Sequence, residues 1–163
     1  MTSGRRSTEE GPTVREIADK SFISLDENTL VAEAAKTLYE RGGCSIVVTR
    51  NDPKTRLRVP VGIVTERDII FRVVAQNKGP FKITLSRIMS SPVTVIDAGS
   101  PMIDALEIMK EKGFNRLPVV TKGGEMIGLV TMEMMMREVP LRRMRPADNN
   151  DDNNINNRDS NAA

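Results

Sequence analysis

An internal repeat of about 60 residues constrains this chain more than any other feature of its sequence. When the sequence is shifted by 71 positions, residues 14–49 align with residues 85–120. The offset then falls to 66, and residues 62–68, GIVTERD, align with residues 128–134, GLVTMEM. The change in offset reflects a longer loop in the first copy. The chain therefore uses one supersecondary unit twice.

Each copy predicts the element order β-α-β-β-α, preceded by a short helical turn. An amphipathic helix is expected to begin at Thr29 and end at Gly42, and its counterpart occupies residues 100–113, from a serine to a glycine. Two β-rich runs joined by turn residues follow in each copy. A final helix is expected to begin at Thr65 in the first copy and at Thr131 in the second.

The two copies are expected to fold as one module. A unit of this length is marginal by itself because it buries too little apolar surface. We therefore predict an α+β fold in which two β-α-β-β-α repeats pack through their sheets about a pseudo-twofold axis. The predicted boundaries are a flexible N-terminus at residues 1–12, repeat 1 at 13–78, repeat 2 at 79–140 and a tail at 141–163.

Composition argues against several classes of function. The chain has no histidine, which removes histidine acid–base catalysis, Ser-His-Asp triads and most zinc sites. Cys44 is the only cysteine, so a disulfide framework is absent and a reducing compartment is favoured. No run approaches the roughly 18 apolar residues of a membrane helix, and the N-terminus lacks the apolar stretch of a signal peptide. We expect a cytoplasmic, non-catalytic protein with no metal site and no membrane partner.

The ordered, repeated motifs resemble the CBS domain, named after cystathionine beta-synthase, and in particular the tandem pair that forms one regulatory module. The residues that carry the resemblance are GGCSIVV at 42–48, GIVTERD at 62–68, GFNRLPVV at 113–120 and GLVT at 128–131. The resemblance covers residues 13 to about 140. No single motif is specific, whereas the ordered set occurring twice is. It implies a stand-alone CBS pair.

The resemblance implies an adenine nucleotide in a cleft between the repeats: AMP, ADP or ATP, with S-adenosylmethionine less favoured. The T-x-x-D step of the family holds the ribose, because a carboxylate can accept hydrogen bonds from both vicinal hydroxyls. Arg116 occupies the position of a phosphate-binding cation. The implied main site comprises Thr65, Arg67, Asp68, Pro92, Val93, Thr94, Phe114, Asn115, Arg116 and Leu117.

The equivalent positions imply a second, degenerate site. Met134 stands where the first copy has its ribose carboxylate, and Ser45 stands where the second copy has Arg116. The implied residues are Phe22, Ile23, Cys44, Ser45, Ile46, Thr131 and Met134. We therefore expect one functional site and one impaired site.

The same residues also have structural interpretations. Thr65 and Asp68 have the spacing of a helix capping box, and this role can coexist with ligand binding. Arg116 by itself is a solvated surface charge. Cys44, next to an apolar strand, is expected to be a small buried hydrophobe and not a reactive thiol.

The final helices carry more apolar surface than one small module needs. Met132, Met135 and Met136 lie close to one helical face, which favours core or a dimer interface over a metal site. The equivalent helix of the first copy adds Ile69, Ile70, Phe71 and Val73. These faces predict a homodimer, an assembly that the resemblance also implies.

The C-terminal residues differ in composition from the repeats. Residues 148–163 hold 7 Asn and 4 Asp and are expected to be disordered. A basic stretch before them contains Arg142, Arg143 and Arg145, which raises the alternative of a nucleic-acid-binding module. Aromatic residues make up only 3% of the chain and none lies beside this stretch, which disfavours nucleic acid as a partner. The favoured interpretation is a non-catalytic sensor that binds an adenine nucleotide and signals to a protein effector.

Overall fold

A computed structural model describes residues 11–138 of the chain. The first copy contains α1 Val14–Ile17, β1 Ser24–Asp26, α2 Val31–Arg41, β2 Ser45–Asn51, β3 Arg58–Thr65 and α3 Glu66–Ile69, which continues as a π-helical turn at Ile70–Val74. The second contains a 3₁₀ turn at Leu85–Arg87, β4 Ile96–Asp97, α4 Met102–Lys112, β5 Arg116–Val120, β6 Met126–Thr131 and α5 Met132–Glu138. The predicted order of elements is confirmed in both copies. The predicted disordered tail and the basic stretch lie outside the described residues.

Each copy forms a three-stranded sheet of the same topology. In the first sheet β1 pairs parallel with β2, and β2 pairs antiparallel with β3. In the second sheet β4, β5 and β6 repeat this arrangement. Each antiparallel pair has one register irregularity, at Val48/Thr49 and at Val119/Val120. Two small sheets with helices confirm the predicted α+β class.

The helix ends follow the sequence prediction, but the helix starts do not. Gly42 and Gly113 end α2 and α4 with φ of 63° and 69°, the left-handed conformation that glycine adopts without strain. The residues that precede these helices are Leu30 and Pro101. The predicted starts, Thr29 for α2 and Ser100 for α4, were therefore wrong by one residue. The reason is tertiary. Leu30 is held extended by a β-bridge to residue 84, and Pro101 by a bridge to residue 13.

The leading turn of each copy packs into the core of the other copy. Val14 of α1 is fully buried in the second core, beside Ile96 of β4. Leu85 and Ile88 of the second copy are buried in the first core. Neither core is complete without a segment from the other copy, so the two copies depend on each other for stability.

The two sheets also share a small apolar cluster. Val47 of β2 is buried against Met126 and Leu129 of β6, with Phe22 packed at its margin. This cluster, together with the exchanged turns, confirms that the repeats pack through their sheets.

The glycine of each repeated G-x-V-T phrase marks a crossing between the copies. A Cβ at Gly62 would lie 2.5 Å from Met89 Sδ, and a Cβ at Gly128 would lie 2.8 Å from Ala18 Cβ. Next to these contacts, β-bridges join Ile63 to residue 90 and Leu129 to residue 19. In each copy, the segment after the leading turn passes directly over a strand of the other copy. Glycine occurs in both motifs because it lies at this crossing point, where a side chain would collide.

Candidate functional site

A cleft of about 300 Å³ lies between the two copies. Its walls are the end of β3, the segment before β4 and the loop that joins α4 to β5. The bridge between Ile63 and Ser90 holds the first two walls together. The cleft is lined by Ile63, Thr65, Ser90, Pro92, Val93, Thr94, Gly113, Phe114, Asn115 and Arg116. It therefore combines an apolar surface with a few polar groups, the composition expected of a small-molecule site.

Thr65 and Asp68 form a capping box at the start of α3. Asp68 Oδ2 accepts hydrogen bonds from Thr65 N and Thr65 Oγ1, each at 2.8 Å. Asp68 N donates in return to Thr65 Oγ1 at 3.3 Å. The structural interpretation of this pair is confirmed. Among the described residues, Oδ2 already has two donors, whereas Oδ1 has only the guanidinium of Arg72 beside it, so Oδ1 has more remaining acceptor capacity.

Arg72 connects Asp68 to the segment before β4, which forms the neighbouring wall of the cleft. Its Nε lies 3.4 Å from Asp68 Oδ1. Its Nη1 donates to the carbonyl oxygen of Ile88, and its Nη2 lies 3.3 Å from the hydroxyl of Ser90, which lines the cleft. Arg72 therefore holds both the capping box and the segment that follows the second leading turn.

Sequence reasoning missed Arg72, although a signal was present. An aspartate and an arginine four residues apart on a helix form a favourable ion pair. At the offset of 66 positions the equivalents of Asp68 and Arg72 are Met134 and Glu138. The second copy has therefore lost both members of the pair together.

Arg116 crosses from the second copy to the first. It begins β5, and its Nη1 donates to Ser45 Oγ at 2.5 Å and to Cys44 Sγ at 3.2 Å. Ser45 is the repeat equivalent of Arg116, so the two residues meet where the copies face each other. The guanidinium is held by the first copy while it lines a cleft made largely by the second.

A second, more open cleft of about 600 Å³ adjoins the first. It is lined by Cys44, Asn115, Arg116, Thr131, Met132, Glu133, Met136 and Arg137. Arg137 donates to Glu133 across one helical turn, and both side chains are largely exposed. Asn115 and Arg116 line both clefts and form the boundary between them.

The model of one protein family, described as the CBS domain, matches the chain twice, at residues 14–75 and 85–141. The chain belongs to the CBS domain family. The two matches correspond to the two copies of the internal repeat, so the protein is a tandem CBS pair.

Proteins with similar sequences or structures match most of the described residues. An uncharacterised protein of Methanopyrus kandleri is 33% identical over 128 residues, which are 78% of this chain and 63% of that protein. The CBS domain protein PAE2072 from Pyrobaculum aerophilum, solved in complex with AMP, is 31% identical with a TM-score of 0.63, covering 76% of this chain and 89% of that one. The CBS domain pair of protein MJ0100, solved with 5'-methylthioadenosine and S-adenosyl-L-methionine, is 28% identical with a TM-score of 0.63, covering 77% and 94%. The chain thus spans about two thirds of the length of the Methanopyrus protein.

In this CBS pair, seven of the ten residues predicted for the main site line the first cleft: Thr65, Pro92, Val93, Thr94, Phe114, Asn115 and Arg116. Asp68 lies behind Thr65 in the capping box. The guanidinium of Arg67 lies over the ring of Phe71, 5.2 Å from its centroid. Leu117 is buried in the second core, because successive residues of a strand face opposite sides.

Three residues of the lining were not predicted. Ile63 faces the cleft from the strand position two before Thr65, a spacing that strand alternation makes visible in the sequence. Ser90 is placed there by its bridge to Ile63, and Gly113 by the end of α4. For Ser90 and Gly113 no sequence signal pointed to the cleft.

Of the residues predicted for the degenerate site, Cys44 and Thr131 line the second cleft. Ile23 and Ile46 are buried in the first core, and Phe22 packs beside the cluster shared by the sheets. Ser45 accepts a hydrogen bond from Arg116, and the backbone N–H of Met134 donates to Thr131 Oγ1 at 3.2 Å. Bulky apolar residues therefore occupy positions whose equivalents in the main site, Val93 and Thr94, line a cleft.

The expectation that Cys44 is buried was wrong. Its side chain is exposed, because the chain between Gly42 and β2 passes over the surface before it enters the sheet. The adjacent apolar strand residues are buried from position 46 onward. Burial therefore begins two residues after the cysteine.

The methionines of α5 divide between the core and the surface. Met135 is fully buried, Met132 packs against the second core, and Met136 is 65% exposed. Within residues 11–138, the structure has no cluster of three or more His, Cys, Asp or Glu side chains placed to bind a metal ion. In the same range, no helix combines the length and apolar character needed to cross a membrane.

Proposed function

We propose that this CBS pair binds an adenine nucleotide in the cleft between its repeats and acts as a non-catalytic regulatory module. One observation carries the proposal. The cleft of about 300 Å³ is lined by both copies and combines the threonine that caps α3 and an arginine with an apolar surface. This volume is at the lower end of the range for ligand sites, which suits a nucleoside or a nucleoside monophosphate.

The chemistry of the walls suggests how the ligand is oriented. Ile63, Val93 and Phe114 offer apolar surface for the adenine ring. Asp68 Oδ1 is the acceptor for the ribose hydroxyls, since Oδ2 already accepts two hydrogen bonds in the capping box and Oδ1 has Arg72 Nε at 3.4 Å as its one partner within the described part of the chain. The positively charged fork of Arg116 suits the phosphate.

The comparisons support an adenine ligand without selecting one. The Pyrobaculum protein was solved with AMP, and the pair of protein MJ0100 with 5'-methylthioadenosine and S-adenosyl-L-methionine. All three ligands contain adenosine. In this chain Arg116 lines the cleft, and a cation attracts a phosphate more strongly than the uncharged thioether of 5'-methylthioadenosine, whereas it repels the cationic sulfonium of S-adenosylmethionine. We therefore place AMP, ADP or ATP before S-adenosylmethionine.

The shared walls supply a route from binding to regulation. A ligand that contacts both copies binds best to one arrangement of them, and so it shifts their relative position. We propose that a protein effector reads this change. Regulation of this kind requires no chemical step in the CBS pair itself.

Isothermal titration calorimetry with the full chain tests the proposal. AMP, ADP, ATP, S-adenosylmethionine and adenosine are titrated separately, with GMP as the control for the base. We expect saturable binding of at least one adenine nucleotide, weaker binding of adenosine and none of GMP. Absence of binding by every adenine compound, or equal binding of GMP, would refute the proposal.

A further inference from the structure

The contact between Arg116 and Ser45 gives the first copy a part in the site of the second. Building on the proposed function, we propose that Ser45, with Cys44, is a positioning residue that orients Arg116 for a ligand phosphate. Sequence comparison placed both residues in the degenerate site. Through their contacts with Arg116, the geometry connects them to the main site as well.

The hydrogen bonds of Arg116 carry this inference. Nη1 has two protons, and these match its two acceptors, Ser45 Oγ at 2.5 Å and Cys44 Sγ at 3.2 Å. In the part of the chain that the structure describes, the hydrogen bonds of this guanidinium involve Nη1 alone. The edge formed by Nε and Nη2 therefore keeps its donors for a ligand, and this edge presents two parallel N–H groups that match two phosphate oxygens.

The backbone fixes the partners of this contact. Arg116 and Ser45 are the first residues of β5 and β2, and each is paired with the threonine that ends the neighbouring strand. Two strand ends held by their sheets bring a long side chain and a short one together at a set distance. The contact therefore restrains the arginine before any ligand arrives, which reduces the entropy lost on binding.

The asymmetry of the two copies follows from the same contact. Position 45 is the repeat equivalent of position 116, so a second arginine there would bring two guanidinium groups together. Like charges at that distance repel, whereas a serine supplies an acceptor. Ser45 is thus the hydrogen-bond acceptor for Arg116. It is also the residue that leaves the second, degenerate site without an arginine.

The test compares AMP with adenosine by calorimetry in matched variants of the full chain. Ser45→Ala removes the acceptor, and Ser45→Thr keeps a hydroxyl at a strand position that tolerates β-branching. We expect Ser45→Ala to weaken AMP binding by roughly two- to tenfold, the range for the ordering of one flexible side chain, and to leave adenosine unchanged. Ser45→Thr should restore most of the AMP affinity. Ser24→Ala, a serine of β1 outside both clefts, serves as the control.

A second arm tests whether Ser45 acts through Arg116. Arg116→Ala should lower AMP affinity, and Ser45→Ala added to it should cause no further loss. Stronger AMP binding in Ser45→Ala would overturn the inference, because it would mean that serine and phosphate compete for the arginine. Equal changes in AMP and adenosine affinity in Ser45→Ala, or no change in its AMP affinity, would also overturn it. So would a further loss of AMP affinity in the double variant. If the wild-type chain binds neither AMP nor adenosine, the proposed function fails and this inference fails with it.

Discussion

Arg72 Nε lies 3.4 Å from Asp68 Oδ1, so the carboxylate that caps α3 is also tied to the other wall of the cleft. The same guanidinium binds the carbonyl oxygen of Ile88 and the hydroxyl of Ser90. The side chain of Asp68 is only 16% exposed, so its carboxylate is held in a defined position near the cleft, where it can still accept a hydrogen bond.

Asp68→Ala should reduce both binding and stability. Loss of hydrogen bonds to a charged group should lower the affinities for AMP and adenosine by about ten- to hundredfold. Loss of the cap should lower the free energy of unfolding by about 1 kcal/mol. Calorimetry and urea unfolding of the same preparation measure the two effects separately.

A matched variant separates the two roles of Asp68. Asp68→Asn keeps an oxygen that can cap α3, so its stability should stay near that of the wild type while its affinity falls. Met134→Ala, at the equivalent position of the second copy, should change AMP affinity little. If Asp68→Ala loses stability and binds AMP like the wild type, Asp68 is a helix cap only.

Arg72→Ala should lower the affinity for the ligand because it changes the shape of the cleft, and not because it removes the positive charge of the arginine. Without this side chain, Asp68 and Ser90 lose a common partner, so the affinities for AMP and for adenosine should fall by the same factor. The arginine side chain is 43% exposed, and we expect a loss of only about 1 kcal/mol in the free energy of unfolding. Arg87→Ala, an exposed arginine of the neighbouring 3₁₀ turn, is the control. A loss confined to AMP would show that Arg72 contacts the phosphate directly.

Alanine at either crossing glycine should destabilise the whole pair. In Gly128→Ala the new Cβ would lie 2.8 Å from Ala18 Cβ, and in Gly62→Ala it would lie 2.9 Å from Met89 Cβ. Overpacking of this kind costs about 1–3 kcal/mol, which urea unfolding can measure. Gly79→Ala, where nothing lies within 4 Å, should be nearly neutral.

The crossing contact can be tested by rescue. Ala18→Gly removes the methyl group that the new side chain meets, so the Ala18→Gly/Gly128→Ala double variant should recover most of the lost stability. Additive losses in the double variant would show that the contact between the copies is not the cause.

The exposed apolar face of the π-helical turn predicts a homodimer. Ile70, Phe71 and Val74 are 54%, 56% and 66% exposed, and Met136 of α5 is 65% exposed. Sedimentation velocity at micromolar concentration should show a dimer, and Phe71→Glu should shift it to monomer because a charge is costly in an apolar interface. Tyr39→Glu, at a residue that is 88% exposed, controls for the added charge. A wild-type chain that sediments only as a monomer would contradict this prediction.

Local rules account for what the sequence could predict here. The repeat predicted the element order twice, because the same pattern of apolar and turn residues folds in the same way. Gly42 and Gly113 end their helices as expected, since a left-handed residue after a helix favours glycine. Thr65 and Asp68 form the expected capping box, which needs only residues three positions apart. Most of the cleft lining followed from the repeat and its resemblance to a known family.

Only the tertiary structure decided which groups meet across the copies. Val14 is buried in the second core although it begins the first copy, and this exchange also moved the starts of α2 and α4. Arg72 reaches Ser90, and Arg116 reaches Ser45, over separations of 18 and 71 residues. Such contacts depend on how two sheets and their leading turns are placed in space. A local pattern specifies which face of an element is apolar, but it does not specify which distant side chain will lie against it.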